Sequence, residues 1–206
     1  MDPNSFPTKG NLMLAKNSLA LAKQGYELMD KKRNILIREL MELIETADSI
    51  QRDILETYKT AYSALERANI DIGINNVMEV AGSVPPEEGI KVQTRSIMGV
   101  EIPRIKFDEK KLKPTYSFYG STEALDTAKV AFEKVKELSL RLAEIENSAY
   151  RLAHNVKKTQ KRANALQNIT IPRYEDLTKT ISNALEEKER EEFTRLKVIK
   201  RRMNEA

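Results

Sequence analysis

The feature that most limits what this chain can become is a run of apolar residues advancing by alternating steps of three and four from Leu12 onward. One row is Leu12, Leu19, Tyr26, Arg33, Leu40, Ala47, Ile54, Ala61 and Ala68, and the other is Ala15, Ala22, Met29, Leu36, Leu43, Ile50, Thr57 and Ala64. Only Arg33 and Thr57 depart from the apolar rule. A step averaging about 3.5 residues keeps one stripe of a helix facing a single partner and favours a left-handed supercoil. The helix should begin near Thr8, whose hydroxyl follows Pro7 and can accept a bond from a free backbone N–H. Arg33 within the stripe reads as a snorkelling or register-fixing residue, with contact to a partner protein as the alternative.

A second stripe of the same kind runs through Ala128, Ala131, Val135, Leu138, Leu142, Ile145, Ala149, Leu152, Val156, Thr159, Ala163 and Leu166. Its helix is expected to start at Ser121 or Thr122, with Glu123 and Asp126 complementing the positive end of the helix dipole. Pro172 interrupts the stripe, which resumes in shifted phase at Leu177, Ile181, Leu185, Phe193, Leu196, Ile199 and Met203. A proline there removes one backbone hydrogen bond and should bend the helix rather than end it. Glu186 with Arg190, and Glu191 with Arg195, have the i, i+4 spacing that supports an exposed helix.

Between the stripes, roughly residues 70–120, the composition changes. Gly73, Gly82, Gly89, Gly99 and Gly120 gather there with Pro85, Pro86, Pro103 and Pro114. Two β-rich stretches, Ile90 to Ile97 and Val100 to Phe107, meet across Met98-Gly99, where glycine supplies the positive φ of a tight hairpin turn. Pro103 restricts its strand to an edge or a bulge. An isolated two-stranded hairpin is marginal in water, so this one should lean on the helices or on a partner. The fold expected is therefore mainly α: a long antiparallel two-helix coiled coil with a short β-hairpin and loop region at the end away from the termini. Its parts are an amino-terminal helix over 1–69, a connector over 70–120 with the hairpin at about 90–107, and a carboxy-terminal helix over 121–206 bent near Pro172. Helices of this length would each reach roughly 100 Å at 1.5 Å per residue, and the whole is expected to be one elongated unit.

Composition narrows the chemistry. Charged residues make up 32%, aromatics 6%, and Trp and Cys are absent, the profile of long helices without disulfide or thiol chemistry. The net charge of +4 does not point to nucleic acid. No apolar run approaches a bilayer span, and the opening residues lack a signal layout, so a cytoplasmic protein without direct membrane insertion is expected. No Gly-rich phosphate loop, metal-ligand cluster or nucleophile–base set is present, and no cofactor is expected. His154, the only histidine, has no second ligand nearby and reads as a surface residue. Gly25 within the first helix suits the close approach of another backbone, or simple tolerance. From Asn147 to Tyr174, and again from Arg195 to Arg202, no acid occurs. Such basic stretches read as solvated helix faces, or as contacts for acidic partners. Matching the two termini of an antiparallel pair would set Lys157 to Arg162 near Asp48, Asp53 and Glu56.

Particular residues resemble one family. Pro7-Thr8, Asn11-Leu12, Gly25, Leu28 and Lys32-Arg33, then Ile97-Met98-Gly99-Val100 with Ile102-Pro103, are similar to the helix and hairpin of the D subunits of archaeal and bacterial V/A-type rotary ATPases. Arg162, Asn164-Ala165-Leu166, Ile171-Pro172, Ile181, Leu185, Glu189-Arg190-Glu191-Glu192, Arg195-Leu196-Lys197 and Ile199-Lys200 extend the resemblance over nearly the whole chain. The sequence departs from the family at Met29-Asp30, where Leu-Lys is frequent, and at Asn34, where an acid is frequent. It ends sooner after its last basic run than eukaryotic vacuolar members do, which favours the archaeal or bacterial branch.

The resemblance implies a non-catalytic central-stalk protein, a rotor shaft carrying torque between the catalytic A/B head and the membrane ion-translocating ring. Its implied partners are the A and B subunits, a small F subunit on the side of the shaft and a funnel-shaped subunit above the ring. Candidate head contacts are Arg195, Lys197, Lys200, Arg201, Arg202, Lys32 and Arg33. Candidate hairpin residues are Met98, Gly99, Ile102 and Ile105, and Pro172 is the bend that would make the shaft asymmetric. The rival readings are a prefoldin-like coiled-coil chaperone, whose subunits are shorter and end in apolar tips, and an RNA-gripping helical arm, which would come attached to a catalytic domain.

Overall fold

The computed structural model describes residues 6–85, 89–107, 116–117 and 119–205. The connector residues 86–88, 108–115 and 118, Pro86 and Pro114 among them, lie outside the described set. Helix α1 runs over Lys9–Ile72 and α2 over Ile74–Gly82; strands β1 (Ile90–Ile97) and β2 (Val100–Phe107) follow. Helix α3 spans Glu123–Ala165, a π-helical turn occupies Leu166–Thr170, and α4 spans Ile171–Glu205. The fold is mainly helical with one small antiparallel hairpin. By its contacts the chain divides into two compact units, one holding the chain up to Asn34 together with the part from Lys157, the other Ile35–Val156.

The start of α1 follows from its first residues. Thr8 Oγ1 accepts the Asn11 backbone N–H at 3.2 Å, and the Asn11 side chain donates back to Phe6 O at 3.0 Å, which satisfies a helix-end donor and fixes the incoming chain. At the start of α3 the backbone oxygen of Thr122 takes the N–H groups of Leu125 and Asp126. The Thr122 hydroxyl itself is buried without a hydrogen-bond partner, so it does not act as the side-chain cap its position suggested. Gly73, with φ of 85° and ψ of 149°, separates α2 from α1. The helix α2 is an addition to what the sequence suggested, since its short apolar pattern of Val77, Val80 and Ala81 lies among connector residues.

In the unit formed by 35–156, α1 and α3 pair antiparallel. Leu36 and Leu152 are both fully buried and join Val100 and Ile102 of the hairpin in one cluster, with Leu40, Leu43, Ile97 and Val156 packed around it. Further along, Tyr62 meets Phe132 edge-to-face with ring centroids 5.4 Å apart. The inner positions here are dominated by alanine: Ala61, Ala64, Ala68, Ala128 and Ala131 are all buried. The hairpin does not stand at the end of the helices as expected; it folds back along α3. Phe107 lies under the Lys136 ammonium at 5.5 Å, while Val100 and Ile102 reach Leu152. Burying these three apolar residues is the physical reason, because a free hairpin would leave them in water.

In the other unit the pairing is again antiparallel. Arg33 lies against Gln160, Gly25 against Leu166, Lys23 against Glu175 and Lys9 against Glu189. This register replaces the one drawn from matched termini: Gln160 faces Arg33, while Asp53 and Glu56 share a surface cleft with Lys134 and Leu138. The helix ends are not flush, because α4 continues well beyond the point where Glu189 meets Lys9, near the start of α1. A Cβ on Gly25 would sit 3.8 Å from Leu166 Cδ1, an ordinary contact, so no backbone approach demands glycine there.

Two stability measurements follow. Replacing Gly25 by Ala removes a flexible helix-interior glycine into available space and should raise stability by about 0.5–1 kcal/mol in urea titration. Leu36→Ala strips a side chain at the centre of the hairpin–helix cluster and should cost about 2–5 kcal/mol, with the hairpin amides losing hydrogen-exchange protection along with the helices.

Candidate interaction surfaces

The stripe residues named from the sequence are turned inward to differing degrees. Leu36, Ile54 and Leu152 are buried, while Leu12, Leu19, Tyr26, Leu40, Leu43, Ile50, Leu142, Ile145, Val156 and Leu166 are half-buried. Arg33, the one charge on the stripe, is held by three side chains. Its guanidinium donates to Gln160 Oε1 at 2.8 Å and to Asn34 Oδ1, and pairs with Asp30 Oδ1 at 2.5 Å. Asn34 in turn donates to Asp30, and Gln160 to Asn164. Asp30 and Asn34 are two positions at which the sequence departs from the residues usual in the resembled family, and both serve to fix Arg33. A polar layer of this kind sets register between two helices. Arg33 is therefore engaged within its own unit, and Lys32 beside it is half-buried.

The hairpin is joined to α3 by backbone as well as side chains. Its two-residue turn has positive φ at both Met98 (50°) and Gly99 (77°), as a type I′ turn requires. With Ile97 opposite Val100 as the closing pair, the alternation of an antiparallel ladder leaves Glu101, Pro103 and Ile105 with backbone groups pointing away from β1. Pro103 thus lies where no ladder N–H is needed. The outward groups meet a polar row on α3: Ile105 N–H donates to Glu144 Oε2 at 2.7 Å, and Arg151 donates to Glu101 O at 3.1 Å. Between them Ser148 Oγ, bonded chiefly to Glu144 O, lies 3.4 Å from Pro103 O. Residues 144, 148 and 151 share one helix face by their four-then-three spacing. Of the four hairpin candidates, Ile102 is buried and Ile105 half-buried against α3, leaving Met98 and Gly99 exposed at the tip.

A different surface is the end of α4. From Glu186 to Asn204 every residue is exposed. Phe193, Leu196, Val198, Ile199 and Met203 all lie open, with Phe193 at 70% and Met203 at 75%. Around them stand Arg195, Lys197, Lys200, Arg201 and Arg202, after an acidic stretch in which the expected Glu186–Arg190 and Glu191–Arg195 pairs form at 3.8 and 3.7 Å. Basic residues in a last turn complement the negative end of the helix dipole. An apolar row with basic flanks, uncovered by any described part of its own unit, is a surface suited to an acidic-rimmed apolar partner.

A third surface lies where α2 meets the α1–α3 pair. A cleft there is lined by Leu65, Val77, Val80, Leu125, Ala128 and Phe132, and Ile70, Ile74, Met78 and Tyr119 are exposed. At its rim Tyr116 donates a short hydrogen bond to Asp126 and lies under the Lys129 ammonium, 4.8 Å from the ring centre. Burial, then the bond to Asp126 and its negative charge, push the Tyr116 phenol up to about 12. Each cause disfavours the phenolate, so folding holds the proton more tightly than the unfolded chain does. The stabilisation is complete below pH about 10, the ordinary tyrosine value, and is lost as pH rises from there through about 12. The stability gap between the parent and Tyr116→Phe should accordingly shrink across that interval, and an ultraviolet phenolate titration should lose its component near 12 in the variant.

Among the described residues no group of His, Cys, Asp or Glu is arranged to hold a metal ion. None of the described helices is long and apolar enough to cross a membrane. The family model for the D subunits of ATP synthases matches residues 11–201. A V-type ATP synthase D subunit from Thermotoga neapolitana is 45% identical over 197 residues, covering 96% of this chain and 97% of that protein. An A-type ATP synthase D subunit from Pyrococcus horikoshii is 40% identical, covering 94% of this chain and 92% of its own length. One from Thermococcus kodakarensis is 38% identical, covering 96% and 94%. A match of this extent, through both helical stripes and the hairpin, settles the family: the chain belongs to the D-subunit family of ATP synthases.

Proposed function

We propose that this chain is the non-catalytic central-stalk component of a V/A-type rotary ATPase or ATP synthase, a shaft that carries torque between the A/B head and the membrane ring. The single observation that supports this most is the bare end of α4, an apolar row with basic flanks that its own unit leaves in water, on a chain of this family. In the proposal that end enters the head formed by the A and B subunits. Arg195, Lys197, Lys200, Arg201 and Arg202 meet acidic rims there, and Leu196 and Ile199 seat against apolar collars. Charge contacts of this sort are soft and long-ranged, which suits a surface that must move between positions rather than lock into one.

The rest of the chain suits the same task. Helices paired through inner alanines and a fixed polar layer at Arg33 resist slippage of one against the other. The proposal places the chain in the cytoplasm, peripheral to the membrane, with the small F subunit on its side and the funnel-shaped subunit at the connector. Arg33 and Lys32 are weaker candidates for head contact than the end of α4, because Arg33 is already satisfied by Asp30, Asn34 and Gln160.

Co-expression with A, B and F subunits tests the reading: the chain should enter the assembled head in one copy. The paired substitution Leu196→Ser with Ile199→Ser alters exposed residues, so the isolated chain should melt within about 0.5 kcal/mol of the parent. Its incorporation into the head should fall sharply. Assembly at parental levels with normal ATP-driven coupling would remove the α4 end from the proposed contact.

A further inference from the structure

The stretch before Pro172 breaks the helical count by one residue. On α3 the inward positions Thr159, Ala163 and Leu166 step by four and then three. Continuing that alternation through the next residues puts one inward row at 173 and 180. Arg173 and Thr180 are exposed instead, while Tyr174 and Ile181, each one residue later, are turned in, Ile181 to 1% exposure. The neighbouring row broadens in the same direction, with Thr178 and Leu185 half-buried beside Leu177 and Ala184. The inward pattern therefore lags by one residue after Leu166.

The π-helical turn lies where the lag begins. The Ile171 N–H reaches back five residues to Leu166 O, and Thr170 Oγ1 donates to Ala165 O, also five residues back, at 3.3 Å. A turn closed in this way holds one residue more than an α-helical turn. We infer that Leu166–Thr170 absorbs a single surplus residue, so that the apolar face of α4 stays in the phase set by α3, and that Pro172 is accommodated by this turn rather than the cause of it.

The physical stakes are set by helix geometry. An unabsorbed extra residue rotates everything after it by about 100°, which would carry Ile181 out of the seam. It would also re-aim the row Leu196, Ile199 and Met203, which follows Leu185 by three turns and a further three and four residues. Pro172 has no N–H, and in a regular α-helix its ring would press on the carbonyl four residues earlier. In the wider turn the hydrogen-bonding is already displaced, and the ring enters at the first turn of α4, where proline is tolerated. The hydroxyl of Thr170 and the packing of Leu166 beside Gly25 fix the surplus at this place along the helix.

This makes a shortened helix the better one. Deleting exposed Asn168 together with Pro172→Ala should close the segment into ordinary α spacing. Its melting midpoint should equal or exceed the parent's, and amide protection should be kept from Tyr174 to Leu185. Pro172→Ala alone should retain the five-residue bond of Ile171, seen in an NMR or crystal structure of the variant. Deleting exposed Gln51 from the uninterrupted α1 is the comparator and should lower the midpoint, since nothing there can take up the change. The inference is overturned if the Asn168 deletion costs as much as the Gln51 deletion or strips protection from Ile181. It is equally overturned if Pro172→Ala by itself restores a regular helix.

Discussion

Everything in this chain depends on one-sided helices having to hide an apolar stripe. A helix with a narrow inward face cannot remove it from water alone, and burial at roughly 25 cal/mol per Å² rewards a second stripe of matching spacing. The residues at the contact set how closely the two can come. In the 35–156 unit the inner positions are alanine at Ala61, Ala64, Ala68, Ala128 and Ala131 and larger at the Leu36–Leu152 layer, and that layer is where the hairpin packs. Small residues draw backbones together; a pair of leucines opens room at the side for Val100 and Ile102.

The hairpin shows how local and tertiary demands are reconciled. Two strands alone do not hold in water, yet β2 offers a row of unpaired backbone groups on its outer edge. A polar face of α3, Glu144, Ser148 and Arg151, meets that row group for group, so the strand is held by both its apolar face and its edge. The outer strand β1 remains exposed, and Lys91 and Arg95 on it oppose pairing with another copy of itself.

Much of this was legible in the sequence, and the parts that were not have identifiable reasons. The two stripes, both strands and the turn at Met98-Gly99 follow from periodicity and from glycine chemistry. The place of the hairpin along the helices did not, because its inward residues Val100, Ile102 and Ile105 do not keep one strict alternation. The helix pairing was set by Arg33 meeting Gln160, a tertiary bond between residues whose types carry no address. Pro172 drew attention as the breaker, while the surplus residue lay just before it in Leu166–Thr170, visible only as a one-residue lag in which positions are covered. The open end of α4 was present in the sequence as apolar residues that continue the stripe. What spacing could not say is that α1 runs out before it.

In the proposed role this chain turns inside a catalytic head. The direct measurement is to fix an A/B head to a surface, place a cysteine at exposed Gln51 of α1 in this cysteine-free chain, outside the proposed head contact, and attach a bead to it. On adding ATP the bead should show sustained rotation in one sense. A bead that stays still while the head hydrolyses ATP at its normal rate would contradict it.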